Sequence, residues 1–497
     1  MAAGKTAEAN SRKELRAMRL VRKSDYLWEI PREGGMRVPG RIFANDRLIE
    51  DIRSDPALEQ VANVAHLPGI VGYSWAMPDI HLGYGFPIGG VAATAFEEGG
   101  VISPGGVGYD INCGVRLMTC NLMLEDIRDK LDGVMSHLFT RIPCGASPHD
   151  SGFGKLDARA LKRVLKKGAS FVVEHGLGTP SDLEHCEDTG AIEMADPDAV
   201  SQRAIDRGRH QLGSLGSGNH FLEVGYVAEL FDAEAARAFG LQKEQVTVLI
   251  HCGSRGFGHQ VCTDYLKMMA SQSGQFDFEL PDRQLAAAPL DSSVGKSYLA
   301  AMAAASNYAW ANRQTLMVLA QRAIADALGG HPDEFGFRLL YDISHNIAKI
   351  ETHDVEGRSL KVCVHRKGAT RALPPGDRRI PDRYLSIGQP VLVPGDMGTA
   401  SFLLVGSPGQ KDHPFCSSCH GAGRRLSRRA AMKKGRGRAL LDELKARGVT
   451  VMAKNPRTLA EEMPDAYKDV SQVVDVLQRA GVTRRVAELR PVGVIKG

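Results

Sequence analysis

No stretch of this sequence approaches the ~20 consecutive apolar residues needed to span a bilayer, so it offers no candidate transmembrane helix. The opening MAAGKTAEANSRKELRAMRLVRKSD has no apolar core and no small-residue cleavage site, so it does not read as a secretory signal. Cysteine is sparse, at nine in 497 residues. Without an export signal, these are expected as reduced thiols in a cytoplasmic setting. Charge of one sign is also scarce. A formal net charge of +4 does not by itself announce a nucleic-acid binder. There is no internal repeat and no low-complexity linker. No G-x-G-x-x-G follows a strand-like run, which rules out a Rossmann reading. Gly295-Lys296-Ser297 resembles the end of a P-loop, but Leu290 stands where that motif needs its first glycine. The segment is read as a helix start.

What is present is an ordinary globular composition, 43% apolar and 24% charged. The 54 glycines gather in short runs beside polar residues, a pattern of backbone turns packed around a site. Charge is concentrated even though it is balanced overall. Arg424 to Arg447 carries ten Lys or Arg residues against Asp442 and Glu443, a face able to hold a polyanion. The highest helix propensity lies at 294–328, with helical patterns also at 155–176 and 186–213. VTVLI (246–250), FRLLYDIS (337–344), LKVCV (360–364), PVLV (390–393) and SFLLVG (401–406) read as strands. The tail from Arg424 onward is expected to be mostly helical.

One pattern recurs: an apolar strand ends and a histidine follows. It places His251, His345 and His365 where a rigid scaffold meets solvent. Asp110 and Cys113 lie in the Gly-rich turn GGVGYDINCGVR, and Asn219-His220 in SLGSGNHFLE. A thiolate, a carboxylate and several imidazoles make a transition-metal set, and ligand softness alone points to zinc. The spacings match no short metal motif, so one shared site is not proved by them. Cys416-Ser-Ser-Cys419-His420 fits the C-x-x-C-H pattern of haem attachment, but that chemistry needs export. A redox pair, or a His420 that opens HGAGR beside the basic run, are the other readings.

These motifs coincide with those of one family. MPDIHLGYGFPIGG, GGVGYDINCGVR, GSGNHFLE, HCGSRGFGHQV, SHNIAKIE, PVLVPGDMGTASFLL, HGAGR and RPVGVIKG together resemble the RtcB RNA ligases over essentially the full length. The resemblance implies one large α+β domain over 1–497, with a mixed sheet core and a central metal and nucleotide cleft. It implies two manganese ions sharing Cys113, with His251 and His345 completing one site and Asp110 and His220 the other. It implies GTP as cofactor and His420 as the residue that carries GMP. The nucleotide pocket would draw on Asn219, His220, Phe221, Leu222, Glu223, His345, Asn346, Pro394, Gly395, Asp396, Met397, Ser401, His420, Gly421, Ala422, Gly423, Tyr467 and Lys496. Glu223 and Lys496 would read the guanine edge, which adenine does not match. Partners would be RNA, as tRNA halves or other cleaved RNA, and an archease-type activator, with no membrane. Lysine-based ligases, marked by K-x-D-G, join the opposite polarity; a working K-x-D-G motif is expected to be absent, which fits the histidine route. Cys252, Cys416 and Cys419 are departures, read as inert small hydrophobes. Two rivals stay open on the residues: a metal-dependent phosphatase or cyclic phosphodiesterase, and a non-catalytic RNA-binding protein.

Overall fold

The computed structural model describes residues 18–145, 156–408 and 414–497. Most of the opening segment read for an export signal, residues 1–17, lies outside them, as does residue 155 of the first helical pattern.

Two large sheets carry the chain. The first has seven strands in the order Val21–Ser24, Leu27–Ile30, Gly40–Phe43, Ile70–His81, Ile88–Ala95, Arg358–Lys367 and Asn346–Val355. The second runs Arg338–Ser344, Gly114–Met123, Gln245–Cys252, Phe221–Leu230, Thr483–Lys496, Ser401–Gly406 and Pro390–Val393, with Thr450–Ala453 added in parallel to Thr483–Lys496. Neighbouring strands are otherwise antiparallel, except for Gly40–Phe43 beside Ile70–His81. This is the α+β architecture with a mixed-sheet core that the resemblance implied. Central strands such as QVTVLIHC are buried at every position, as a strand covered on both faces requires.

His345 occupies a singular place. Arg338–Ser344 belongs to the second sheet and Asn346–Val355 to the first, so the chain changes sheets at this one residue. A small ladder, Ala369–Arg371 against Ser417–Cys419, ends immediately before His420.

The expected long helix spans Ser293–Leu328. Ser292 caps it by accepting from the Gly295 amide at 3.1 Å, and Gly329 ends it in the left-handed region at φ 79°. Gly295-Lys296-Ser297 is thus its first turn, as read. The helix is mostly apolar and buried, but Asn307, Asn312, Arg313 and Gln314 are also fully buried. Arg313 and Arg116 both donate to Asp342, at 2.7–2.8 Å, and all three are inaccessible to solvent.

Two expectations change. Residues 186–213 hold only one α-helix, Gln202–Gly208, with 3-10 turns at Glu187–Gly190 and Pro197–Ala199. Asp188 and Thr189 adopt positive φ (52° and 53°), and their turn is committed to long-range pairing. Glu187 accepts from the Ser344 amide at 2.7 Å and pairs with Lys349 at 2.5 Å. The tail is not mostly helical either. Its last segment, Thr483–Lys496, is a 14-residue strand inside the second sheet, held between two antiparallel partners.

Candidate functional site

The turn carrying Asp110 and Cys113 precedes the strand Gly114–Met123, and Asn112 bends it with φ 52°. Asn112 is buried, and every polar group it has is used. Its amide donates to Asn346 O at 2.7 Å and its side chain to Ser306 O at 2.8 Å. Its Oδ1 accepts from Ser344 Oγ at 2.6 Å and Arg313 Nη2 at 3.1 Å. Arg313 Nη1 also donates to Asn112 O at 2.8 Å and Cys252 O at 2.9 Å. The His345 amide donates to Cys113 O at 2.8 Å. One turn is thereby fastened to the long helix and to both sheets.

Five side chains far apart in sequence meet there. Asp110 Oδ2 lies 2.7 Å from His220 Nε2, and Cys113 Sγ lies 3.3 Å from both His220 Nε2 and His251 Nε2. His251 Nε2 in turn lies 3.2 Å from His345 Nε2. Two donor groups result, Cys113–His251–His345 and Asp110–Cys113–His220, each with its ligand atoms within 4.8 Å of one another and sharing Cys113. These are the two sets the motifs implied.

The donor chemistry fits metal. Burial, then neighbouring cationic groups, hold His251 and His345 well below the usual imidazole range, so both offer lone pairs at neutral pH. His345 Nδ1 is buried and meets no protein partner. Burial and the Asp110 charge push the Cys113 thiol up to about 12, and a coordinated cation is what would deprotonate it. Burial opposes ionisation of Asp110, but His220 outweighs it and holds the carboxyl down at about 2.

Beside this cluster lies a cleft that opens to solvent. His345 and His420 adjoin across it, with ring centroids 4.8 Å apart. Of the residues named for a nucleotide pocket, Asn219, Phe221, Asn346, Pro394, Gly395, Asp396, Met397, Gly421, Ala422, Gly423, Tyr467 and Lys496 also line it. His220, Leu222, Glu223 and Ser401 do not. His220 is engaged with Asp110 and Cys113. Leu222 is in the strand interior. Ser401 Oγ accepts from the Gly395 amide at 3.2 Å and so shapes the lining loop from behind. Glu223 is buried, and burial and the Asp396 charge raise its pKa to about 8. Lys496 Nζ donates to Gly218 O at 2.7 Å, and burial lowers its pKa to about 8.

Residue-by-residue reading missed Asp79. It is fully buried and accepts from both His420 Nδ1, at 2.6 Å, and the His420 amide, at 3.1 Å. Its signal was its place in MPDIHLGYG, two residues before His81, which lines the same cleft. Glu462 was missed as well. It is buried at the cleft edge, accepts from Arg424 at 3.0 Å and from the Tyr467 hydroxyl, and lies 3.8 Å from Arg428. Within the basic segment, Arg424, Arg425, Lys434 and Arg438 are taken up in ion pairs, while Arg429, Lys433 and Arg436 stand exposed.

His365 does not join the site. It lies inside the strand Arg358–Lys367, buried, and its Nε2 accepts from the Ser103 amide at 3.1 Å. His251 also lies within its strand rather than after it. All nine cysteines are free thiols. A K-x-D-G tetrapeptide does occur, Lys130-Leu131-Asp132-Gly133. Lys130 is exposed at the start of the helix Leu131–Arg141 and takes no part in the cleft, so it offers no rival nucleophile there.

A shared thiol, a carboxylate and three imidazoles beside an open cleft define an enzyme with a candidate two-metal centre. The family model described as "tRNA-splicing ligase RtcB" matches residues 60–497. Similar proteins named tRNA-splicing ligase RtcB occur in Archaeoglobus fulgidus, 49% identical over 96% of this chain and 99% of that one, and Thermococcus kodakarensis, 50% identical over 97% and 100%. An RNA-splicing ligase RtcB of Mycobacterium tuberculosis is 51% identical over 88% of this chain and all of its own. The chain belongs to the RtcB family of RNA ligases.

Proposed function

We propose that this chain is a GTP- and manganese-dependent ligase that joins RNA 2′,3′-cyclic-phosphate or 3′-phosphate ends to 5′-hydroxyl ends through a GMP–His420 intermediate. The observation that carries this reading is the His420–Asp79 pair. With Nδ1 donating to a buried carboxylate at 2.6 Å, the Nε2 lone pair is left free at a cleft that adjoins the donor cluster.

In the first step His420 Nε2 attacks the α-phosphorus of GTP; a P–N bond forms and the P–O bond to pyrophosphate breaks. Asp79 stabilises the positive charge that develops on the imidazole. A 3′-phosphate oxygen of the RNA, made by opening any cyclic phosphate with water, then attacks that phosphorus and releases His420. Finally a 5′-hydroxyl attacks the activated 3′-phosphate, forming a 3′–5′ phosphodiester and releasing GMP. Asp110, Cys113, His220, His251 and His345 are the residues that would hold the ions. When bound, manganese supplies charge neutralisation at the phosphates and orients them. Lys496, and Glu223 set off the lining but within electrostatic reach of Asp396, discriminate guanine in this proposal, and Tyr467 with its Arg424 and Glu462 partners forms the wall of that subsite.

Cleaved RNA, including tRNA halves, is the substrate in this proposal, handled in the cytoplasm, and an archease-type protein is its activator. Multiple-turnover ligation with and without such a protein tests the last clause; equal rates remove it. The central test is incubation with α-labelled GTP and manganese. The expected result is a denaturation-resistant GMP adduct on the wild type and none on His420→Ala. Ligation without an adduct, or an adduct retained by His420→Ala, would refute the histidine route. Cleavage of cyclic phosphates with no joined product would favour a phosphodiesterase instead.

A further inference from the structure

The contacts across the donor cluster run in series, from Asp110 through His220, Cys113, His251 and His345 to His420. The guanylate site adjoins the His420 end. At the other end, Tyr109 immediately precedes Asp110 and belongs to a row of three rings. Tyr84 meets Tyr109 edge-on at 5.4 Å, and His259 stacks on Tyr109 at 4.7 Å and an interplanar angle of 25°. Tyr84 and Tyr109 are half-buried, and His259 is exposed on the helix Arg255–Gln272. The His259 ring thus stacks on Tyr109 while the residue itself remains exposed.

We propose that this row is a stacking ledge for the terminal base of the 5′-hydroxyl RNA strand. The inference rests on the ligase reading and assigns one strand to one end of the site. In an in-line displacement the attacking oxygen enters opposite the leaving group. The leaving group of the joining step is GMP, whose cleft lies at the His420 end. The strand that brings the attacking hydroxyl must then approach from the Asp110 end, where the ledge stands. Aromatic rings beside a cation suit such a strand, because every base has a π-face and every linkage a negative charge. Exposed Arg207, whose charge reaches His259, supplies that cation. Burial and Arg207 lower the His259 pKa, so at neutral pH the ring is uncharged and stacks as an aromatic.

The test uses the full-length enzyme and a 5′-hydroxyl RNA carrying 2-aminopurine at its first position. On binding, stacking should quench the probe. His259→Ala should abolish the quench and weaken binding of this strand about tenfold, within the range of removing one base–aromatic stack. His259→Phe, which restores a π-face without the imidazole nitrogens, should recover both. A 3′-phosphate strand with the probe at its last position should be indifferent to the two variants. Quench and affinity unchanged in His259→Ala would overturn the ledge. So would a His259→Phe variant as weak as His259→Ala. Quench of the 3′-phosphate strand alone would overturn the strand assignment. The guanylation assay on the same preparations separates this proposal from the ligase reading, since the GMP adduct forms without RNA.

Discussion

Asp79→Asn isolates the contribution of one buried carboxylate to the nucleophile. Asp79 gives His420 two hydrogen bonds through a single oxygen, at 2.6 Å to Nδ1 and 3.1 Å to the backbone amide. The amide variant keeps the shape and removes the charge. A hydrogen bond to a charged group contributes about 1.5–3 kcal/mol, and here the charge is needed most as the imidazole becomes cationic. A loss of about 2.7 kcal/mol in the transition state is about a hundredfold in rate. If the Asn amide turns its NH2 toward Nδ1, the proton moves to Nε2 and the loss is larger. The assay is single-turnover guanylation with α-labelled GTP at saturating manganese, quenched in denaturant. The expected outcome is a rate constant down about a hundredfold, with half-saturating GTP changed less than about threefold. Thermal melting of the same sample checks the fold. A variant that guanylates within threefold of wild type would show that Asp79 does not prepare His420, and the main structural support for the histidine route would go with it.

Cys113→Ala removes the donor common to both groups, so manganese titration calorimetry should show loss of affinity beyond the ~10–100-fold typical of outer-shell changes; two ions bound as tightly as before would end the shared-thiol reading. Glu223, with its pKa raised to about 8, is protonated at pH 7 in the free enzyme. Guanine N–H groups would favour its anion, so GTP binding should release up to one proton at pH 7 and progressively less above pH 8. Calorimetry in two buffers of different ionisation enthalpy measures this, and release that persists in Glu223→Gln would assign it elsewhere. Asp342→Ala strands Arg116 and Arg313, both inaccessible to solvent, and should cost about 3–5 kcal/mol in urea unfolding; a cost under about 1 kcal/mol would show the pair is not structural. Charge reversal at the exposed Arg429 and Lys433 should weaken ligation and flatten the salt dependence of RNA binding by about 0.7 for each phosphate no longer neutralised, whereas ligation and RNA affinity equal to wild type would remove the basic segment from the RNA path.

The two donor groups were legible because the family's motifs carry their residues in order; the residues' own spacings were not enough. The strand-end histidine rule shows why. It selected His251, His345 and His365 on equal terms, yet His365 spends its ring on the Ser103 amide 262 positions away. Nothing local marks that difference. Asp79 and His420 are separated by 341 positions, so their hydrogen bond is a property of the two-sheet fold rather than of either motif. Strands with continuous apolar runs, such as VTVLI and SFLLVG, were found within two residues of their ends. Thr483–Lys496 was not, because its arginines and glutamate mask the alternation and a helical run precedes it. The turn at Glu187–Gly190 escaped for the opposite reason: acidic residues that look helical are drawn out of a helix by Lys349 and Arg371, partners supplied by other strands.

His345 is a one-residue link between two strands of opposite sheet membership. Adding or deleting one residue there would exchange the inward and outward faces of a whole strand. The imidazole therefore cannot be shifted along the chain to suit a different ligand spacing without unmaking a sheet. Heat or denaturant should accordingly erase cation binding and the surrounding β-structure in one transition, with no intermediate that keeps the scaffold and has lost the centre.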